Sequence, residues 1–108
     1  MMTSTSPELP GYRIIETLGV AQGLVVRLPG FNNTLKASFK AISGGQSEDL
    51  RKLCETTRRE AFDQVVETAE AMGANAVIAF RYDATTIFDI GSEVICYGTA
   101  VVVEKLER

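Results

Sequence analysis

The sequence predicts an α+β fold, with β-strands towards both ends of the chain and one long amphipathic helix between them. Apolar residues recur every three or four positions over residues 47–73, whereas much of the remaining sequence alternates like a strand or is rich in turn residues. The length of 108 residues is that of one domain. We therefore expect residues 11–108 to form a single domain. Residues 1–10, rich in Ser, Thr and Pro, are expected to be a flexible lead-in.

The long helix is predicted over residues 47–73 by its apolar stripe and by its two ends. Ser47 is suited to cap the N-terminus, because its hydroxyl can accept a hydrogen bond from an unpaired amide of the first turn. Gly73 can adopt the left-handed conformation that closes a helix. The apolar arc is wider than one sheet face requires, which indicates a further packing partner. The residues of the stripe are Leu50, Leu53, Cys54, Thr57, Ala61, Val65, Thr68 and Met72, with Phe62, Val66 and Ala69 beside it.

Ahead of the long helix the sequence predicts extended chain and then a short helix. Residues 12–28 are rich in β-forming residues and contain Gly19 and Gly23, so we expect either two short strands or one bent strand. Apolar residues at helical spacing within residues 31–42 predict a short helix. The Gly-Gly pair that follows would be a hinge between the two helices.

Two further strands are predicted after the long helix, over residues 76–83 and 93–106, and residues 85–90 could prolong the first of them. The last strand is apolar on both faces, and the helix can cover only one. We expect a second copy of the chain to cover the other face. A charge at Val101 or Val103 should then dissociate the assembly and leave the helical content unchanged. The predicted interface residues are Ile95, Tyr97, Val101 and Val103.

Composition and charge indicate which partners to expect. The net charge of −3 offers no attraction to nucleic acid or to anionic lipid. No apolar run approaches the roughly 20 residues of a membrane span, and the first residues lack the features of a signal peptide. We therefore expect a cytoplasmic protein that binds neither nucleic acid nor a membrane.

Glycine-rich segments in register along most of the chain carry a resemblance to a known family. They are GVAQG (19–23), ISGGQ (42–46), REAFDQV (59–65), AEAMGANAVIAFRYD (69–83) and CYGTAVVV (96–103). With these segments the chain resembles the YbjQ-like family of small, uncharacterised bacterial proteins, which are heavy-metal-binding by prediction. The resemblance implies a dodecin-like β-α-β-β subunit, with an antiparallel sheet on one long helix plus a short helix. It also implies a ring, with five subunits expected.

The candidate metal ligands are few and each has an alternative role. The chain has no histidine and no Cys-x-x-Cys pair. Cys54 and Cys96 could meet between helix and sheet, but a lone buried cysteine usually packs as a small hydrophobe. Glu60 and Asp63 are helical neighbours that could bind a hard cation, although a solvated face interleaved with Arg58 and Arg59 is more common. In a ring, a carboxylate repeated around the axis could also become a site.

No constellation in the sequence indicates catalysis. A nucleophile paired with a basic histidine cannot be assembled, and residues 44–47 match no phosphate-binding motif. Tyr82 at a strand end and Tyr97 could line a pocket, although aromatic strand residues usually serve in packing. Two hypotheses follow. The first is a non-enzymatic homo-oligomer that acts as a scaffold or small-ligand carrier without a cofactor, and the second is a heavy-metal-binding protein whose only cofactor is the metal ion.

Overall fold

The computed structural model describes residues 1–27, 47–87 and 91–107. These residues form four strands and one helix, which confirms the predicted α+β class. In chain order the elements are β1 (Met2–Thr3), β2 (Tyr12–Arg27), α1 (Ser47–Ala71), β3 (Ala76–Ile87) and β4 (Gly91–Lys105). The short helix and the glycine hinge predicted before α1 lie outside the described residues. Within the described ranges, no helix is both long and apolar enough to cross a membrane.

The strands form one sheet in the order β1-β3-β4-β2. Strand β4 is central and runs antiparallel to both β2 and β3, whereas β1 runs parallel to β3. The expectation of an antiparallel sheet is therefore correct for the three long strands and wrong for β1. The sheet is mixed because the first residues of the chain run parallel to β3 along its outer edge.

Helix α1 covers one face of this sheet through small side chains. Ala61, Val65 and Ala69 have no exposed surface and pack on buried residues of β2, β3 and β4. Gly23 permits a close approach, because a Cβ at this position would lie only 2.2 Å from the Ala61 carbonyl oxygen. The Leu24 amide donates a 2.8 Å hydrogen bond to the Gln64 side chain. Helix α1 is thus held tightly against β2.

The end of α1 follows the predicted glycine closure. Gly73 has a φ of 94°, and the Ala74 amide donates to the Ala69 carbonyl at 3.0 Å. Asn75 then joins the turn to β4 through both ends of its side-chain amide. Its Nδ2 donates to the Val103 carbonyl at 2.9 Å, and its Oδ1 accepts from the Val103 amide at 2.8 Å.

Strand β2 is one continuous, irregular strand, which selects the bent-strand alternative. Its pairing with β4 shifts register between Ile14 and Glu16 and again between Thr17 and Gly19. Gly19 has a φ of 131°, a value that favours glycine. Strand β3 continues to Ile87, so the predicted prolongation beyond residue 83 is present up to that residue.

The first ten residues are paired with the sheet, whereas their composition predicts a flexible lead-in. Met2 and Thr3 lie beside the start of β3, and the amides of Ala79 and Phe80 donate to the carbonyls of Ser6 and Ser4 at 2.8 and 3.0 Å. Most of these contacts join backbone atoms, which composition does not report. Met2 and the nearby Leu9 and Tyr12 pack on a second buried cluster, made of Ala76, Ile78, Val101 and Val103.

Candidate functional site

The two cysteines lie in different environments. Cys54 is exposed on α1, whereas Cys96 is fully buried on the helix-facing side of β4. Burial raises the pKa of the Cys96 thiol from 9.0 to about 11, although a hydrogen bond with Tyr82 partly lowers it. Cys96 packs in the buried cluster between α1 and the sheet, beside residues of β2 and β3. The structure therefore assigns Cys96 to the core.

The two candidate carboxylates do not form a shared site either. Glu60 accepts a 2.6 Å hydrogen bond from Arg27 and so ties α1 to the end of β2. Asp63 is exposed on the same helix. Within residues 1–27, 47–87 and 91–107, no three Cys, Asp or Glu side chains are grouped so that they could hold a metal ion.

The predicted interface residues divide into two pairs. Ile95 and Tyr97 are half-buried on the sheet face opposite α1. Val101 and Val103 are only 0% and 4% exposed, because the N-terminal segment and Tyr12 cover them. Their place in a subunit interface is corrected, since their apolar surface is already buried within one chain. A charge there would disrupt the subunit itself and would not test assembly.

An apolar surface remains on the same sheet face, beyond the part that the N-terminal segment covers. Val20, Leu24 and Val26 of β2 are 67%, 46% and 44% exposed. The pairing of Leu24 with Ile95 and of Gln22 with Tyr97 places the half-buried pair on this face. We call this surface the open face; it consists of Val20, Leu24, Val26, Ile95 and Tyr97.

The sequence contains a pattern in β2 that indicates the open face, but the predicted interface residues all lie on β4. Over residues 20–26, a set of Val20, Gln22, Leu24 and Val26 alternates with Ala21, Gly23 and Val25. The second set is buried under α1, so the large side chains point away from the helix. This alternation could have identified β2 as a strand with a large apolar outer face.

A second surface, which we call the arginine groove, lies between α1 and β3. It has a volume of about 380 Å³ and is lined by Glu55, Arg58, Arg59, Phe62 and Tyr82. Phe80 supports its aromatic side, with ring centroids 5.3 Å from Phe62 and 5.2 Å from Tyr82, both edge-to-face. The groove thus combines fixed aromatic rings with two guanidinium groups.

Burial keeps the tyrosine of the arginine groove neutral beside two cationic side chains. Partial burial and the nearby Cys96 raise the pKa of Tyr82 above 10.0, whereas Arg58 and Arg59 lower it. The Arg58 guanidinium lies 5.8 Å from the centre of the Tyr82 ring. Tyr82 is therefore a phenol hydroxyl at neutral pH. Sequence patterns place the two arginines on a solvated helix face and do not reveal the strand aromatic opposite them.

Relatives of the chain are found over nearly its whole length. A UPF0145 protein from Sulfurisphaera tokodaii is 41% identical over 105 residues, covering 97% of this chain and 92% of that protein. A UPF0145 protein from Streptomyces coelicolor is 44% identical over 105 residues, covering 97% and 99%.

The fold also matches a solved structure. A crystal structure from Pediococcus pentosaceus, described as a protein of unknown function in the DUF74 family, superposes with a TM-score of 0.65 at 15% identity. The match covers 96% of this chain and 98% of that one, and it concerns the fold alone. The model of the YbjQ family, described as "Putative heavy-metal-binding", matches residues 1–104. The two similar proteins described above are named UPF0145 proteins, and the chain belongs to the YbjQ family.

Proposed function

We propose that the protein is a non-enzymatic homo-oligomer, a dodecin-like ring of five subunits, that acts as a scaffold or small-ligand carrier. The observation that carries this proposal is the open face. Exposing several large aliphatic side chains on one surface costs about 25 cal/mol per Å² of apolar area, and association with a second copy would recover that free energy.

The shape of the subunit also supports assembly. Its radius of gyration is 17.1 Å, whereas a compact chain of this length has a value of roughly 13 Å. The extents of 56 × 24 × 17 Å describe a long, thin two-layer ribbon. A ribbon of this kind leaves much of its sheet uncovered, and the open face lies on that uncovered side.

The outer edge of β2 offers backbone groups next to the open face. Strand β2 has 16 residues and is the last strand of the sheet, so within the described part of the chain its outer edge pairs with no other strand. Gln64 already accepts from the Leu24 amide at this edge, so a pairing strand would use other backbone groups of β2. A strand of a second copy could pair there while the open face packs against that copy.

A single added charge on the open face tests this proposal. Leu24→Glu should convert the assembly into 11.7 kDa subunits in sedimentation velocity, because the carboxylate would have to be desolvated in the interface. Thr56→Glu adds the same charge to an exposed position of α1 and serves as the matched control. Circular dichroism should show α1 retained in both variants.

The milder variant Leu24→Thr keeps the test informative if Leu24→Glu misfolds. It should weaken association at low protein concentration without removing the fold. Leu24→Glu and Leu24→Thr both sedimenting like the unmodified protein would overturn the interface assignment.

Heavy-metal binding is the alternative that the family description supplies. The buried Cys96 and the Glu60–Arg27 ion pair give this alternative no support within the described residues. Metal analysis of protein purified without chelator tests it. Stoichiometric metal that is lost on Cys54→Ser would favour the alternative over the scaffold or carrier.

A further inference from the structure

We propose that the arginine groove binds a small planar aromatic anion, with the carboxylate or phosphate held by Arg58 and Arg59 and the ring packed against Phe62 and Tyr82. This inference rests on the carrier role in the proposed function, and it names the binding site and the class of ligand. The described residues that line the groove belong to one chain, so binding does not require the five-subunit assembly.

The cationic character of the groove is the first argument. Among the described residues, neither Arg58 nor Arg59 has a carboxylate within 4 Å. The one acidic lining residue, Glu55, lies 3.6 Å from Arg51, whose positive charge partly offsets the negative charge of Glu55. Two guanidinium groups on a chain of net charge −3 therefore form a local positive site.

The geometry of these donors is the second argument. A guanidinium presents its N–H groups in a planar fork that matches the two oxygens of a carboxylate or a phosphate. Arg58 and Arg59 are adjacent on α1 and line the same groove.

The aromatic wall and the volume select the rest of the ligand. Phe62 is half-buried and Tyr82 is 40% exposed, and both rings are braced by Phe80. An apolar ring can pack on such a surface, whereas a small, fully hydrated anion would leave it wet. The volume of about 380 Å³ suits a molecule of one or two rings and is too small for a folded partner.

Calorimetric titration of the full chain with 2-naphthoate tests the proposal. We expect saturable binding with a dissociation constant below about 1 mM, and affinity at least tenfold weaker for neutral 2-naphthamide and for acetate. A parallel titration with 2-naphthyl phosphate shows which anionic group the two arginines prefer. Equal affinity for 2-naphthoate and 2-naphthamide, or no binding of either anion, would overturn the proposal.

Charge-matched variants locate the site. Arg59→Gln should weaken 2-naphthoate binding roughly fivefold to tenfold, because it removes charge-assisted hydrogen bonds. Lys52→Gln removes the same charge from an exposed position of α1 outside the groove and should change affinity less than twofold. Glu55→Gln should tighten binding. Equal losses for Arg59→Gln and Lys52→Gln would refute binding in the groove.

The subunit count is measured on the same samples, so the two proposals fail separately. A monomer that binds 2-naphthoate would refute the five-subunit assembly and support binding in the arginine groove. A five-subunit assembly that does not bind the probes would support the assembly and refute binding in the groove.

Discussion

Ala79 has a φ of 53°, in the left-handed region that costs an L-residue about 1–2 kcal/mol. It lies in β3 where the pairing with β4 shifts register between Ile78 and Arg81. The first residue of such a bulge is usually glycine. The position is held by the hydrogen bond from its amide to the Ser6 carbonyl. The N-terminal segment therefore compensates for an unfavourable backbone conformation.

Ala79→Gly should raise the free energy of unfolding by about 0.5–1 kcal/mol, because glycine removes the strain at a smaller cost in unfolded-chain entropy. Urea denaturation of the two proteins measures the difference. Ala76→Gly is the control, since Ala76 is buried in the same strand without a positive φ and should lose stability. Equal losses in both variants would show that Ala79 is not strained.

Cys96 should make stability depend on alkaline pH. Its pKa is about 11 in the folded chain and 9.0 in its ordinary environment, so the unfolded chain releases this proton first as pH rises. Stability from the neutral thiol is complete below pH 9 and is lost between about pH 9 and 11. Over that range the free energy of unfolding should fall by up to about 2 kcal/mol.

Cys96→Ala isolates this effect from the tyrosines and lysines that also titrate there. The variant should lose less stability between pH 8 and 10.5 than Cys54→Ala, which removes the exposed thiol. Urea denaturation at the two pH values gives the comparison. Identical pH dependence in the two variants would contradict the burial of Cys96.

Individual elements differ in how far the sequence reveals them. The C-terminal end of α1 depends on local chemistry at Gly73, so the helix is predicted to within two residues of its observed end. Strand β1 depends on backbone hydrogen bonds to β3, which leave no pattern in a two-residue strand. The same limit explains Val101 and Val103, because the covering segment lies about a hundred residues away in the chain.

Hydrogen exchange distinguishes a paired N-terminal segment from a flexible one. The amides of Ala79 and Phe80 should exchange at least tenfold faster in a chain that begins at residue 11, because their acceptors are the carbonyls of Ser6 and Ser4. The central β4 amides of Val94 and Cys96 should change little and provide the reference. Equally fast exchange of Ala79 and Phe80 in the full chain would show that the lead-in is flexible.

At the scale of the whole molecule, the described chain is a ribbon with two different faces. One face is closed by α1, and the other is closed by residues 1–12 at one end only, which leaves the open face at the other end. The alternation of β4 predicts an apolar second face, but only the structure divides it into covered and uncovered parts. The arginine groove was not predictable in the same way, because it joins side chains of a helix and a strand whose registers are independent.

Native mass spectrometry of the untagged protein tests the central claim of self-assembly most directly. We expect a species whose mass is a multiple of the 11.7 kDa chain, with five copies predicted. On dilution this species should dissociate into single chains, with no oligomer of intermediate mass. A bare 11.7 kDa monomer at micromolar concentration would contradict the account of the open face.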